Sequence, residues 1–150
     1  MGIENELDPS QVELGRFYPQ PPEAVWRALT DSAVVEQWLL PSIGFDGAQV
    51  GTHFLFTVPS NPPAEVACEV LAATEGEAMT WSWMDMRGPQ PARWIVTWEL
   101  QPQGHGTRVL LTASGFDIED KRQRMQRNNL ERGWRQVLSK LGDVLERPVA

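Results

Sequence analysis

NNLERGWRQVLSKLGDVLE, running from Asn128 to Glu146, carries a single apolar stripe. Leu130, Trp134, Val137, Leu138, Leu141 and Leu145 recur at steps of three and four, the spacing that aligns side chains along one side of an α-helix. Glu131, Arg132, Arg135, Gln136, Lys140 and Asp143 fall mostly on the other side. About five turns of one-sided apolar surface need a broad apolar partner in water. The chain between Phe45 and Phe116 reads almost wholly as strands and can supply that partner. The expected architecture is α+β: a curved antiparallel sheet gripping a long C-terminal helix, with any bound molecule held between them.

Outward from that helix, six strands are expected. Phe45 to Val50 is the weakest of them. Thr52 to Val58 puts Phe54 and Phe56 on one face and His53, Leu55 and Thr57 on the other. Glu65 to Thr74 gathers Val66, Cys68 and Val70. Glu77 to Met84 gathers Met79, Trp81 and Trp83, with Thr80 and Ser82 opposite. Arg93 to Leu100 gathers Trp94, Val96, Trp98 and Leu100, and Thr107 to Ser114 gathers Val109 and Leu111. The breakers PSNPP (59–63), RGPQP (87–91) and QPQGHG (101–106) separate them, and connections this short imply an antiparallel meander. Before the meander, Val12 to Tyr18 reads as a first strand. Two short helices follow, PPEAVWRALTD and SAVVEQWLL, with Pro21 and Pro22 tolerated in a first turn and Pro41 ending the second. Residues 1–11 are expected to be loose or disordered, and 12–147 to form one domain. The C-terminal helix is expected to start between Asp117 and Met125; a start near Ile118 would let Asp117, Glu119 and Asp120 meet the positive end of the helix dipole.

Composition narrows the functional classes. The 150 residues are 41% hydrophobic and 22% charged, ordinary values for a globular domain. No apolar run approaches 18 residues, and the acidic N-terminus lacks the apolar core of a secretory signal. The lone Cys68 allows neither an internal disulfide nor a cysteine cluster for zinc. A cytoplasmic location without membrane insertion is therefore expected. Net charge is −7, unevenly spread: residues 121–150 hold 8 basic and 3 acidic residues, and the other 120 hold 5 and 17. A basic helix thus complements an acidic body, and that body would repel nucleic-acid phosphates.

The inventory for chemistry is small. His53 and His105 stand in strand and turn without H-E-x-x-H spacing or a nearby ligand carboxylate. No G-x-S-x-G or P-loop occurs. Cys68 lies on an apolar face with no basic neighbour to generate a thiolate, so it reads as a small buried thiol. No catalytic residue, metal ligand or cofactor is assigned. The aromatic set stands out: Trp81, Trp83, Trp94, Trp98, Phe54 and Phe56 converge from three strands, and Trp134 meets them from the helix. A curved sheet and one straight helix leave space between them, and Trp81, Trp83 and Trp134 are read as lining it.

The order of one strand, two short helices, antiparallel strands and a long helix is the helix-grip arrangement. With it the segments PPEAVWRALTD, QWLLP, GTHFLF, CEVLAATEGEAMTWSW, WIVTWELQPQGHGTRVLLTASGF and GWRQVLSKLGDVLE resemble one family. That family comprises the single-domain homologues of the activator of the heat-shock chaperone ATPase, within the START-like, or SRPBCC, superfamily. The resemblance spans about Val12 to Glu146. Thr52, Glu75 and Ala113 depart from it, where a glycine, a proline and a polar residue are common. The resemblance implies a fold and a pocket: superfamily members bind lipids, sterols, polyketides or aromatic metabolites between helix and sheet. A few are enzymes, and the name-giving protein is a co-chaperone.

The expected function is binding of a hydrophobic or aromatic small molecule by Phe54, Phe56, Trp81, Trp83, Val96, Trp98, Leu111, Asn129, Trp134 and Leu138. A co-chaperone-like interaction domain and a metal-free enzyme on a hydrophobic substrate are the alternatives. The enzyme is the less favoured, since Asp85, Glu99 and Arg93 are the nearest charged residues by sequence and none has a placed partner. The co-chaperone-like alternative implies a protein partner; the chain itself is expected to be a monomer or a homodimer.

Overall fold

The computed structural model describes residues 10–59, 62–85 and 92–147. The order is β1 (Gln11–Tyr18), α1 (Pro22–Thr30), α2 (Ser32–Trp38), β2 (Ser42–Ile43), β3 (His53–Val58), β4 (Ala64–Thr74), β5 (Ala78–Asp85), β6 (Ala92–Gln103), β7 (Gly106–Ser114) and α3 (Lys121–Leu145). All pairings are antiparallel, and the strands lie in the order β1-β7-β6-β5-β4-β3-β2. The sheet is curved and open, and α3 lies across its concave face in the helix-grip manner. Of residues 1–11, expected loose, 1–9 lie outside the described residues, as does the loop at 87–91, while Gln11 begins β1.

Alternation builds the concave face. Directly opposed residues of an antiparallel pair share a face. The rows Phe54–Cys68–Trp83–Trp94 and Val70–Trp81–Val96–Ala113 therefore run across the sheet on one side. Trp83 and Trp98 on that face touch Trp134 of α3, with ring centroids 5.3 and 5.5 Å apart. Phe54, Phe56, Trp81, Val96, Trp98, Val109 and Leu111 are buried on that face. The ladder between β4 and β5 slips between Val70 and Ala72, an irregularity of the kind that bends a strand.

Two expectations are corrected. Residues 45–50 form no strand; the short β2 precedes them and pairs with Phe56 and Leu55. Gly44 has φ +85°, which ends extended backbone there, and a Cβ at that position would stand 3.1 Å from the His53 carbonyl. Phe45 serves instead as a buried plug, its ring 4.8 Å from Phe54 and 6.0 Å from Trp81. The C-terminal helix starts at Lys121, within the expected span but not at Ile118. Asp120 is its N-cap and accepts from the Arg122 amide at 2.9 Å, while Asp117 accepts from the Glu119 amide at 3.0 Å. Asp120 therefore acts just before the helix, binding one of its first free amides directly, while Asp117 holds the turn that leads into it. No described helix is long and apolar enough to cross a membrane.

Two contacts from β1 fix α3 laterally. The buried Tyr18 hydroxyl donates to the Leu138 carbonyl at 2.7 Å. Arg127 donates from Nε and Nη2 to the Gln11 carbonyl, at 3.1 and 2.6 Å, and pairs with Glu131 at 2.9 Å. Trp38 Nε1 donates to the Ala28 carbonyl at 3.0 Å and locks α2 against α1.

Candidate functional site

The aromatic side chains form one continuous stack of edge and tilted contacts. It runs from Phe45 through Phe54 and Phe56 to Trp81, then to Trp98 and on to Trp134 and Trp83. Trp38 closes on Trp98 from α2 at 5.5 Å. Trp81 and Trp98 are wholly buried. Rings at these separations and angles supply packing beyond area burial alone, and they fill the middle of the grip solidly.

The stack stops at Trp83 and Trp134, and a cavity of about 280 Å³ opens beyond them. Its sheet wall consists of Val58, Val66, Trp83, Asp85 and Trp94, at the ends of β3, β5 and the starts of β4 and β6. Leu39 and Leu40, after α2, close one side. The middle of α3 forms the opposite wall, with Gln126, Asn129, Leu130, Gly133, Trp134 and Val137. Mostly apolar walls with a few polar groups are what small-molecule sites present, and this volume lies near the lower end of such sites.

Of the residues expected from sequence, Trp83, Asn129 and Trp134 border the cavity. Phe54, Phe56, Trp81, Val96, Trp98, Leu111 and Leu138 lie in the packed core on the same side of the sheet and do not border it. Trp94, left open between core and lining, does both: it borders the cavity and stacks on Phe116 at 4.6 Å. Gly133, Gln126 and Asp85 went unassigned. Asp85 had a legible signal, because it continues the Met79, Trp81, Trp83 alternation and so belongs to the buried face. It is 2% exposed. An aspartate on an otherwise apolar strand face is costly to bury unless it has polar partners.

Gly133 has the other signal. An interior helical glycine costs about 1 kcal/mol relative to alanine. At Gly142 the reason is visible, since a Cβ there would meet the Tyr18 ring at 3.3 Å. At Gly133 a Cβ would meet nothing within 4 Å. The open space beside it is the cavity.

The remaining candidates for chemistry lie elsewhere. Cys68 is buried, and desolvation pushes its thiol up to about 12, so it is no thiolate at neutral pH. His53 and His105 are exposed, as are Glu99 and Arg93. Among the described residues no group of three or more His, Cys, Asp or Glu is placed to hold a metal. Burial also pushes the Tyr18 phenol up, partly opposed by the Arg16 charge.

Comparison with known proteins bears on this geometry. The family model described as Activator of Hsp90 ATPase homolog 1-like protein matches residues 19–146. Among solved structures, protein MLL2253 from Mesorhizobium loti is 30% identical, with a TM-score of 0.82 over 93% of this chain and 99% of its own. CalU16 from Micromonospora echinospora is 20% identical, with a TM-score of 0.72 over 91% of this chain and 76% of its own. DynU16, from the dynemicin biosynthetic locus, is 19% identical, with a TM-score of 0.75 over 91% of this chain and 47% of its own. No curated protein matches the chain.

Proposed function

Since the chain belongs to the family of Activator of Hsp90 ATPase homolog 1-like proteins, we propose that it binds a hydrophobic or aromatic small molecule between its last helix and the sheet. The observation that carries this reading is the cavity of about 280 Å³ bordered by Trp83, Trp94 and Trp134. Indole faces offer large rigid apolar contact at little conformational cost. An apolar cavity of about 150 Å³ holds a benzene ring, so this one suits roughly two fused rings. The setting of DynU16 in a biosynthetic locus is compatible with such a role here. The ligand-contacting residues in this reading are Trp83, Asn129 and Trp134 together with Trp94, Leu130 and Val137. The aromatic core of Phe54, Phe56, Trp81, Val96, Trp98, Leu111 and Leu138 supports them from behind.

The test is native mass spectrometry of the purified protein, followed by a melting and tryptophan-emission screen of flavonoids, polyketides, fatty acids and sterols. A ligand at a hundred times its Kd stabilises the fold by about 2.7 kcal/mol, a readily measured shift. Emission should change in the same titration, because three of the seven tryptophans border the cavity. If no compound moves either signal, the binding reading fails and an interaction domain acting on a protein partner replaces it.

A further inference from the structure

We infer that the first half of α3, residues 121–132, is a lid over the cavity, with Gly133 as its hinge and the bond from Arg127 to the Gln11 carbonyl as its latch. The inference rests on the binding reading above and adds a route by which the ligand enters and leaves. Gly133 is the middle residue of α3. Beyond it Trp134, Leu138 and Leu141 are buried, and Tyr18 donates to the Leu138 carbonyl. Before it, no residue from 121 to 132 is buried. Leu130 packs partly on the core, and Met125 is exposed.

The first half is also the weaker helix. Lys121, Arg122 and Arg124 crowd its first turn, where the helix dipole disfavours cations. Its local ties run to the turn just before it and can travel with it: the Asp117 amide donates to Gln123 Oε1, and Arg124 donates to the Ile118 carbonyl. Among the described residues, its hydrogen bonds to the sheet are those of Arg127 to the Gln11 carbonyl. This half supplies Gln126, Asn129 and Leu130 to the cavity wall. Trp83 and Trp94 on the facing wall belong to paired strands, and Trp134 is wedged against Trp83 and Trp98. The wall yields most easily where one latch holds a thinly packed helix. Gly133 suits the hinge: glycine bends without a Cβ penalty, and packing does not call for it, since a Cβ there would meet nothing within 4 Å. Buried apolar contact is what separates stable from readily opening segments, so the two halves of α3 open at different free energies.

Hydrogen exchange of the full chain, read by mass spectrometry, tests the lid without any ligand. Amides 125–132 should exchange at least about tenfold faster than amides 136–145. Gly133→Ala should slow the first set by about fivefold, the factor that helix propensity gives. Arg127→Gln should speed it by about tenfold, the factor for losing a hydrogen bond from a charged donor. The second arm is stopped-flow binding of prodan, an uncharged naphthalene whose emission reports apolar surroundings. When opening limits passage, entry and exit both scale with the open fraction. Arg127→Gln should therefore raise both rates by about tenfold and leave Kd within about twofold. Equal protection of the two halves of α3 overturns the inference and leaves the binding reading standing. So do prodan rates unchanged in a folded Arg127→Gln protein, or a weaker Kd with only the exit rate raised, which would make Arg127 a contact and not a latch. Failure of prodan and of the whole ligand screen overturns the binding reading and, with it, the lid as a gate.

Discussion

The two halves of α3 are made of similar residues and do different things. The C-terminal half places Leu138 and Leu141 in the core and lets Tyr18 press on Gly142. The N-terminal half keeps Leu130 only partly buried and ends at Gly133, beside open space. Each glycine costs the helix about the same. Only at Gly142 does a ring occupy the vacated volume. An unfavourable residue that packing explains is part of the scaffold, and the same residue unexplained by packing points to a site.

The sharpest break of that comparison is a pair of truncations. Leu141→Ala should cost roughly 3–5 kcal/mol, the range for a fully enclosed leucine, and Leu130→Ala nearer 1 kcal/mol, since part of its surface already faces the cavity. Equal losses in urea denaturation would show that the two halves are packed alike. Next is an alkaline test of the closed region around Cys68. Its folded thiol is raised to about 12, so protonation favours the native state; that stability is intact below about pH 9 and drains away as pH rises toward 12. The slope should approach about 1.4 kcal/mol per pH unit, and Cys68→Ala should flatten it. Tyr18 adds a further loss above about pH 10, with the same sign. A slope unaffected by Cys68→Ala would mean that the thiol is solvated in the native state.

Smaller effects sharpen the contrast between the glycines. Gly133→Ala should stabilise by about 1 kcal/mol, because helix propensity improves and nothing is displaced. Gly133→Leu should keep the fold and weaken binding of two-ring ligands by about tenfold or more, as its side chain enters the space they need. Gly142→Ala should change stability by less than about 0.5 kcal/mol, the propensity gain being offset by crowding on a Tyr18 ring already tied to the Leu138 carbonyl. A gain at Gly142 equal to that at Gly133 would remove the distinction.

The fold was largely legible because period-two and period-3.6 patterns were clear: Trp94, Val96 and Trp98 could only share a face, and so could Trp134, Leu138 and Leu141. What misled were local competitions. Phe45 looked like a strand residue, but Gly44 turns the backbone there. The acidic run 117–120 suggested a first turn, whereas carboxylates gain more from capping free amides than from the dipole alone. The site was less legible than the fold. Which tryptophans pack and which border space depends on where α3 crosses strand ends 40 to 80 residues earlier, and no local spacing encodes that. Asp85 was readable in principle, by extending the β5 alternation one residue past Met84.

The contacts from α3 to β1 have a consequence in time. Tyr18 meets a carbonyl 120 residues later in the chain, and Arg127 holds one 116 residues earlier. The β3–β7 hairpins join near neighbours and can pair while the chain is still being made. The first strand leaves the ribosome early, yet it waits for β7 to pair with it and for α3 to fasten its two ends. Such distant closures are slow, because loop entropy is lost before the contacts repay it. Until α3 arrives, the concave tryptophan face stays uncovered. Until α3 is made, the nascent chain thus exposes the surface that the folded domain hides most completely.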